Sequence, residues 1–245
     1  MLSKATIKFI KSLQVKKYRK QEQCFLVEGA KSVRELLSSD FEVVKLLGTT
    51  DFLSTLEITV KGEVVEASEG ELEGLGEFQT NRSAVAIARF KPNTAQYTSE
   101  TEYAIVLDDI RDPGNLGTIM RTADWFGIQK IIASAETADF YNPKVISASM
   151  GSFTRVHVYY TDLISYLARN NHPVYGAFLD GTDIHSVNFA PGGLILIGSE
   201  SHGISADLTD FVTEKITIPR YGKAESLNAA IATAVICDNL RRGAK

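Results

Sequence analysis

The sequence predicts an α/β protein: a parallel-sheet domain preceded by a smaller α/β domain. Three observations predict it. Short apolar runs alternate with helical periodicity along most of the chain, the pattern of strand–helix–strand units. The run Tyr103–Leu107 (YAIVL) is continuously apolar, as strands covered on both faces are. The polar, Pro-containing stretch Lys91–Glu102 divides the chain into two such series.

In the first series, Ile7, Ile10 and Leu13 recur at helical spacing and predict one helix over Lys4–Tyr18. Cys24–Val27 reads as a strand, and Glu28-Gly29-Ala30 opens a helix through Leu37. Val43–Leu47 and Ser83–Phe90 read as further strands. After the polar stretch, strand Tyr103–Leu107 is followed by a helix over Leu116–Phe126 and strand Lys130–Ala133. A helix near Pro143–Met150, strand Val156–Tyr160 and helix Asp162–Asn170 come next. Strands Val174–Leu179, Leu194–Ile197 and Lys215–Ile218 precede a last helix, Ser226–Arg241. The expected domains are residues 1–92 and 103–245, joined by a linker over 93–102.

Composition narrows the class. The 245 residues are 44% hydrophobic and 23% charged, close to globular averages and far from disordered or fibrous chains. No stretch approaches the roughly 18 apolar residues of a membrane helix. Cys24 and Cys237 are too few for a disulfide framework or a Cys-rich zinc site, so a reducing, cytoplasmic setting is expected. No G-x-G-x-x-G follows an early strand, and no P-loop, HExxH or G-x-S-x-G occurs. No metal site is expected.

The net charge of −4 is uneven. Residues 1–97 carry 14 Lys and Arg against 13 acids; residues 98–245 carry 12 against 17. The first 20 residues hold seven bases and no acid. Such a tract attracts polyanions, nucleic acid above all, although it also suits a solvated first helix. No apolar core follows it, so a secretory signal is not predicted. Lys16, Lys17 and Arg19 are the candidate RNA contacts in this tract, and Arg111 is a candidate farther along.

Three segments just after strands carry chemistry-bearing residues, where ligands bind in open α/β sheets. The first is Asp108-Asp109-Ile110-Arg111-Asp112-Pro113-Gly114-Asn115-Leu116-Gly117, leading to Arg121. Asn115 suits a helix cap. Arg121 suits either a salt bridge on the helix or an anionic or hydroxyl-bearing substrate. The second is Gly198-Ser199-Glu200-Ser201-His202-Gly203, with a carboxylate between glycines that suits a ligand or the cap of the next helix. His202 suits a general base by its ordinary titration range, or is a loop bystander. The third is Ile218-Pro219-Arg220, then a polar loop and Ser226-Leu227-Asn228-Ala229-Ala230. Ser226 is expected to cap the last helix, and Ala229–Ala234 permits close packing against a neighbour.

Together the three segments, in this order over 103–242, resemble the three motifs of the SpoU-type (TrmH family, SPOUT superfamily) RNA ribose 2′-O-methyltransferases. Asn142-Pro143-Lys144 with Ser147, Ser149 and Gly151 resembles that family's inter-motif helix. More loosely, the first 90 residues resemble the ribosomal-protein-like substrate-binding domain found before it. The resemblance implies a deep trefoil knot, an exception to the usual rule against knots. It implies S-adenosyl-L-methionine as cofactor, with Gly198, Ile218 and Leu227 around it, and a homodimer with the active site near the subunit interface. Asn115, Arg121, Glu200, Ser226 and Asn228 match the family's polar active-site positions. The implied reaction is methyl transfer to a ribose 2′-hydroxyl of structured RNA, rRNA ahead of tRNA. A non-catalytic RNA-binding or ribosome-assembly factor is the alternative. Ser199 stands where the family commonly has Asn, Ser201 where it has Gly, and Ala229-Ala230-Ile231 departs from the usual third-motif continuation.

Overall fold

The computed structural model describes residues 2–76 and 81–242, which fall into two compact units. The first comprises residues 1–92 with 139–154; the second comprises 93–138 with 155–245.

The chain opens with α1 (Lys4–Ser12) and α2 (Lys16–Glu22), not the single helix expected over Lys4–Tyr18. Ser3 caps α1 through Thr6 N, and the helix ends at Leu13, which is fully buried. Val15 is extended, which interrupts the helical ladder. The carbonyls of Leu13 and Gln14 would otherwise be left open by that break. Arg19 Nη1 donates to both, at 3.0 and 2.8 Å.

β1 (Cys24–Glu28), α3 (Ala30–Leu37), β2 (Val43–Gly48), α4 (Thr50–Ser54), β3 (Glu63–Glu66), α5 (Glu69–Glu73) and β4 (Ala84–Arg89) follow. The sheet order is β1-β4-β2-β3, antiparallel except for the parallel pair β2–β3. Ile10, Leu13, Leu26, Leu47, Leu72 and Ile87 fill its core. At about 1.5–3 kcal/mol for each such side chain, this burial is the main favourable contribution to the unit. α4, β3 and α5 were not expected. A legible signal existed for α5, whose Ser68 and Glu71 form a capping box.

The second unit begins at β5 (Tyr103–Leu107), followed by α6 (Pro113–Trp125) and β6 (Lys130–Ala133). The chain then enters residues 139–154, which contain α7 (Pro143–Ala148) and pack with the first unit. There Tyr141 stacks on Phe90 with ring centroids 3.8 Å apart, and Phe153 meets Phe25 edge-on at 6.1 Å. Arg19 Nη2 pairs with Asp139 at 2.7 Å. Burial pushes the Tyr141 hydroxyl up to about 12.

The second unit resumes with β7 (His157–Tyr160), α8 (Leu163–Leu167), β8 (Val174–Asp183), β9 (Gly193–Ile197), α9 (Ala206–Thr209), β10 (Glu214–Thr217) and α10 (Ala229–Arg242). Its six strands are all parallel, in the order β10-β8-β9-β5-β6-β7. β5 and β9 lie side by side at its centre and are buried at every residue. The expected parallel α/β architecture is therefore present. The strand order reverses between β9 and β5, so the carboxyl ends of these two neighbours mark the crevice where such sheets take ligands. α10 packs against α6, and Arg241 Nε donates to the Phe126 carbonyl just beyond the end of α6.

Candidate active site

The site is assembled from the three segments that leave β5, β9 and β10. At the end of β5, Asp108 is buried, and its Oδ2 accepts from the Ser205 backbone N–H at 2.7 Å and the Ser205 hydroxyl at 2.6 Å. One carboxylate thus ties the first segment to the chain just beyond the second. Asp109 takes a left-handed backbone (φ 60°), a conformation Asp tolerates better than most residues. Its N–H donates to Ser134 Oγ at 3.0 Å.

Asp112, not Asn115, caps α6: its Oδ1 accepts from Asn115 N at 2.8 Å, and Pro113 occupies the first turn. This corrects the expected cap and has a consequence. With Asp112 holding the helix end, the Asn115 side chain is free for other partners.

After β9 the chain turns sharply. A Cβ built on Gly198 would lie 2.1 Å from the Gly203 carbonyl carbon, so only glycine fits. Ser199 and Gly203 exchange backbone hydrogen bonds, closing a small loop that carries Glu200.

The last segment arrives at α10, where the cap is Asn228 rather than the expected Ser226. Asn228 Oδ1 accepts from Ala230 N at 3.0 Å and Ile231 N at 3.3 Å. Because Oδ1 faces those donors, Nδ2 must face the other way. It donates to Glu200 Oε1 at 2.8 Å and to Asn115 Oδ1 at 2.9 Å. Asn115 Nδ2 then donates to Glu200 Oε1 at 2.9 Å, and Ala229 N adds a longer bond at 3.3 Å. The three side chains form a closed triangle in which each amide orientation enforces the next. Flipping either amide would set a carbonyl oxygen against the carboxylate.

The triangle joins three of the five expected polar residues. Arg121 lies six residues beyond Asn115 on α6, about 240° around the helix. It is exposed, with no ion pair among the described residues. Ser226 and Leu227 lie in the exposed loop before α10, and Ile218 directly follows β10. His202 is exposed, and its Nδ1 is 2.8 Å from Ser201 Oγ. Sequence reasoning missed the Asp108–Ser205 clamp; the only legible sign was an acid at the end of a wholly apolar strand.

Among the expected RNA contacts, Lys16 and Lys17 are exposed on α2. Arg19 is a correction. It is only 2% exposed, and its guanidinium is committed to the carbonyls of the α1–α2 break and to Asp139. It therefore presents no charge to a phosphate. Arg111 is exposed, but its Nε donates to Asp109 Oδ1 at 2.6 Å, and that bond raises its already high pKa. Among the described residues, no group of three or more His, Cys, Asp or Glu could hold a metal ion, and no helix is long and apolar enough to cross a membrane.

Residues 102–238 match the SpoU rRNA Methylase family, and residues 4–86 match the MRM3-like substrate binding domain. The chain is 31% identical over 241 residues to the 23S rRNA (guanosine(2553)-2′-O)-methyltransferase RlmP of Bacillus subtilis, covering 96% of this chain and 95% of the relative. Among solved structures it is similar to a Porphyromonas gingivalis protein described as of the TrmH family, with TM-score 0.87, 39% identity and 99% of each chain covered. It is also similar to an AdoMet-bound rRNA methyltransferase from Sinorhizobium meliloti, with TM-score 0.88, 29% identity, and 99% and 96% covered.

Proposed function

This chain belongs to the SpoU rRNA Methylase family, and from that premise we propose how its own residues perform the family's reaction. The reaction is S-adenosylmethionine-dependent transfer of a methyl group to a ribose 2′-hydroxyl of structured RNA, with rRNA favoured over tRNA. The observation that carries the reading is the Asn115–Glu200–Asn228 triangle at the carboxyl ends of parallel strands.

The surroundings fit the cofactor. The tight turn at Gly198 leaves bare backbone beside β9, and Leu227 offers apolar surface at 46% exposure. Gly198, Ile218 and Leu227 would hold it. When bound, S-adenosylmethionine supplies an electrophilic methyl group.

Glu200 acts as an orienting group. Its Oε1 already accepts three donors, which leaves Oε2 for a ribose hydroxyl. Asn115 and Asn228 hold that carboxylate, and Ser226 borders the substrate. The proton of the 2′-hydroxyl would leave to solvent at this exposed site as the new O–C bond forms. The Arg121 guanidinium carries a positive charge. It stabilises the negative charge that grows on the 2′-oxygen and positions the ribose for in-line attack. Its exposed side chain, without an ion-pair partner among the described residues, supports that role.

Residues 1–92 serve as the RNA-binding domain, 93–102 as the linker and 103–245 as the catalytic domain. Lys16 and Lys17 contact phosphates. Arg111 is a weaker candidate because Asp109 already neutralises it. A homodimer covers the face of α6 and α10 where Trp125 is 84% and Ile231 52% exposed. Arg121, one turn before Trp125, would then border the partner subunit. The chain after β10 completes the trefoil knot. A cytoplasmic setting suits an rRNA substrate and two buried free thiols.

Arg121→Ala tests the assignment. It should abolish methyl transfer while calorimetry still detects S-adenosylmethionine binding. Retained turnover would remove Arg121 from the mechanism.

A further inference from the structure

The second unit has a cavity that the reaction does not use. It has a volume of about 140 Å³, several times what one water needs, and is lined by Tyr97, Tyr166, Arg169, Asn170, Asn171 and His172. Residues 170–172 precede β8, and Tyr97 precedes β5. Lys130, the first residue of β6, donates to the Tyr97 carbonyl at 2.8 Å. All of these lie at the amino ends of parallel strands, whereas the Asn115–Glu200–Asn228 triangle lies at the carboxyl ends. A five-residue strand separates the two places by about 15 Å.

The chemistry of the lining is specific. Tyr97 lies nearly parallel to Tyr166, with centroids 6.1 Å apart and planes 11° apart. Tyr166 is buried, but Tyr97 is 63% exposed, which leaves an aromatic face open to solvent. The Tyr97 backbone is anchored by Lys130, which is itself paired with Glu102. Arg169 is exposed, and no carboxylate pairs with it among the described residues. Asn170 Nδ2 donates to the His172 carbonyl at 2.7 Å. His172 Nε2 donates to the Thr98 carbonyl at 3.1 Å, which leaves Nδ1 open for another partner. A flat ring, an unpaired guanidinium, amides and an imidazole nitrogen lie side by side.

We propose that this cavity is a second RNA contact, taking an unpaired nucleotide whose base stacks on Tyr97 and whose phosphate pairs with Arg169. Proteins commonly hold splayed-out RNA bases by stacking on aromatic rings and pairing Arg with the backbone. The proposal rests on the RNA-methyltransferase reading. It adds that a substrate strand is gripped at the end of the sheet opposite the reacting ribose, so the footprint exceeds the modified nucleotide.

Binding of a short labelled single-stranded RNA to the full chain, followed by fluorescence anisotropy, tests this. Tyr97→Ala should weaken binding roughly 5- to 150-fold, the range of one lost base–aromatic stack. Tyr97→Phe should retain it, because the ring face is what matters. Arg169→Ala should also weaken binding and flatten its salt dependence, without disturbing the Tyr97–Lys130 contact. S-adenosylmethionine affinity should stay unchanged in all three variants. Wild-type RNA affinity in both Tyr97→Ala and Arg169→Ala would overturn the proposal. A defect confined to ribosomal particles, with naked RNA bound normally, would also overturn it and assign the cavity to a protein. If the variants lose RNA binding while the wild type transfers no methyl group, the contact stands and the reaction assignment fails.

Discussion

Asn228 Nδ2 donates to Glu200 Oε1 at 2.8 Å while the Oδ1 of the same amide caps α10. One side chain therefore begins the last helix and fixes the Glu200 carboxylate of the candidate site. The two duties can be separated. Ser keeps a capping oxygen but has no amide to reach Glu200. Asn228→Ser should leave thermal stability close to wild type and lower methyl transfer at least tenfold. Asn228→Ala should lose about 1 kcal/mol as well, through the missing cap. Melting curves and turnover measured on the same preparations check the split. Equal activity in wild type and Asn228→Ser would show that the amide–carboxylate bond is dispensable.

Gly198→Ala places a methyl group 2.1 Å from the Gly203 carbonyl carbon. The loop carrying Glu200 must then move. S-adenosylmethionine binding, measured by calorimetry, should fall sharply while the fold persists by circular dichroism. Unchanged affinity would mean that the backbone at this turn does not border the cofactor.

The basic tract divides into two kinds of residue. Arg19→Ala leaves Asp139 without its partner and the α1–α2 carbonyls unsatisfied. Breaking a buried pair in this way costs about 3–5 kcal/mol, which denaturant unfolding should detect. Lys16→Glu with Lys17→Glu should do the opposite, leaving stability near wild type and weakening RNA binding, most strongly at low salt. Normal stability in Arg19→Ala would contradict its structural role.

Glu102 Oε2 accepts from Lys130 Nζ at 2.8 Å and Ser99 N at 2.9 Å. These bonds, the Lys130 contact first, lower its pKa from 4.5 to about 2. A depressed carboxylate contributes stability above its unfolded value and loses it as pH falls through the folded value. The contribution is therefore complete above about pH 4.5 and disappears toward pH 2. Glu102→Gln should show a smaller fall in melting temperature across that window. An identical acid profile would show that the pair contributes nothing at this exposed site.

Much of the second unit was legible in the sequence. Tyr103–Leu107 and Lys130–Ala133 are the observed bounds of β5 and β6, because buried parallel strands are written as short continuous apolar runs. The candidates Asn115, Glu200 and Asn228 were legible as motif positions, but the bonds that join them were not. Which of Asp112 and Asn115 caps α6, and which of Ser226 and Asn228 caps α10, depends on contacts between segments some 85 to 113 residues apart. Local preference ranks these capping residues almost equally. Arg19 was misjudged for the same reason: its ion-pair partner is Asp139, 120 residues away. The short β3 (EVVE) gave too few residues for a period to show.

The reaction proposed for this chain is methyl transfer to an RNA ribose. Its most direct test is transfer of labelled methyl from S-adenosylmethionine to unmodified RNA, fractionated into large rRNA, small rRNA and tRNA, with nucleoside analysis of the product. Label should appear as a 2′-O-methyl nucleoside in an rRNA fraction and be lost with Arg121→Ala. Label on a base, or none in any RNA or ribosomal particle despite demonstrated cofactor binding, would contradict it.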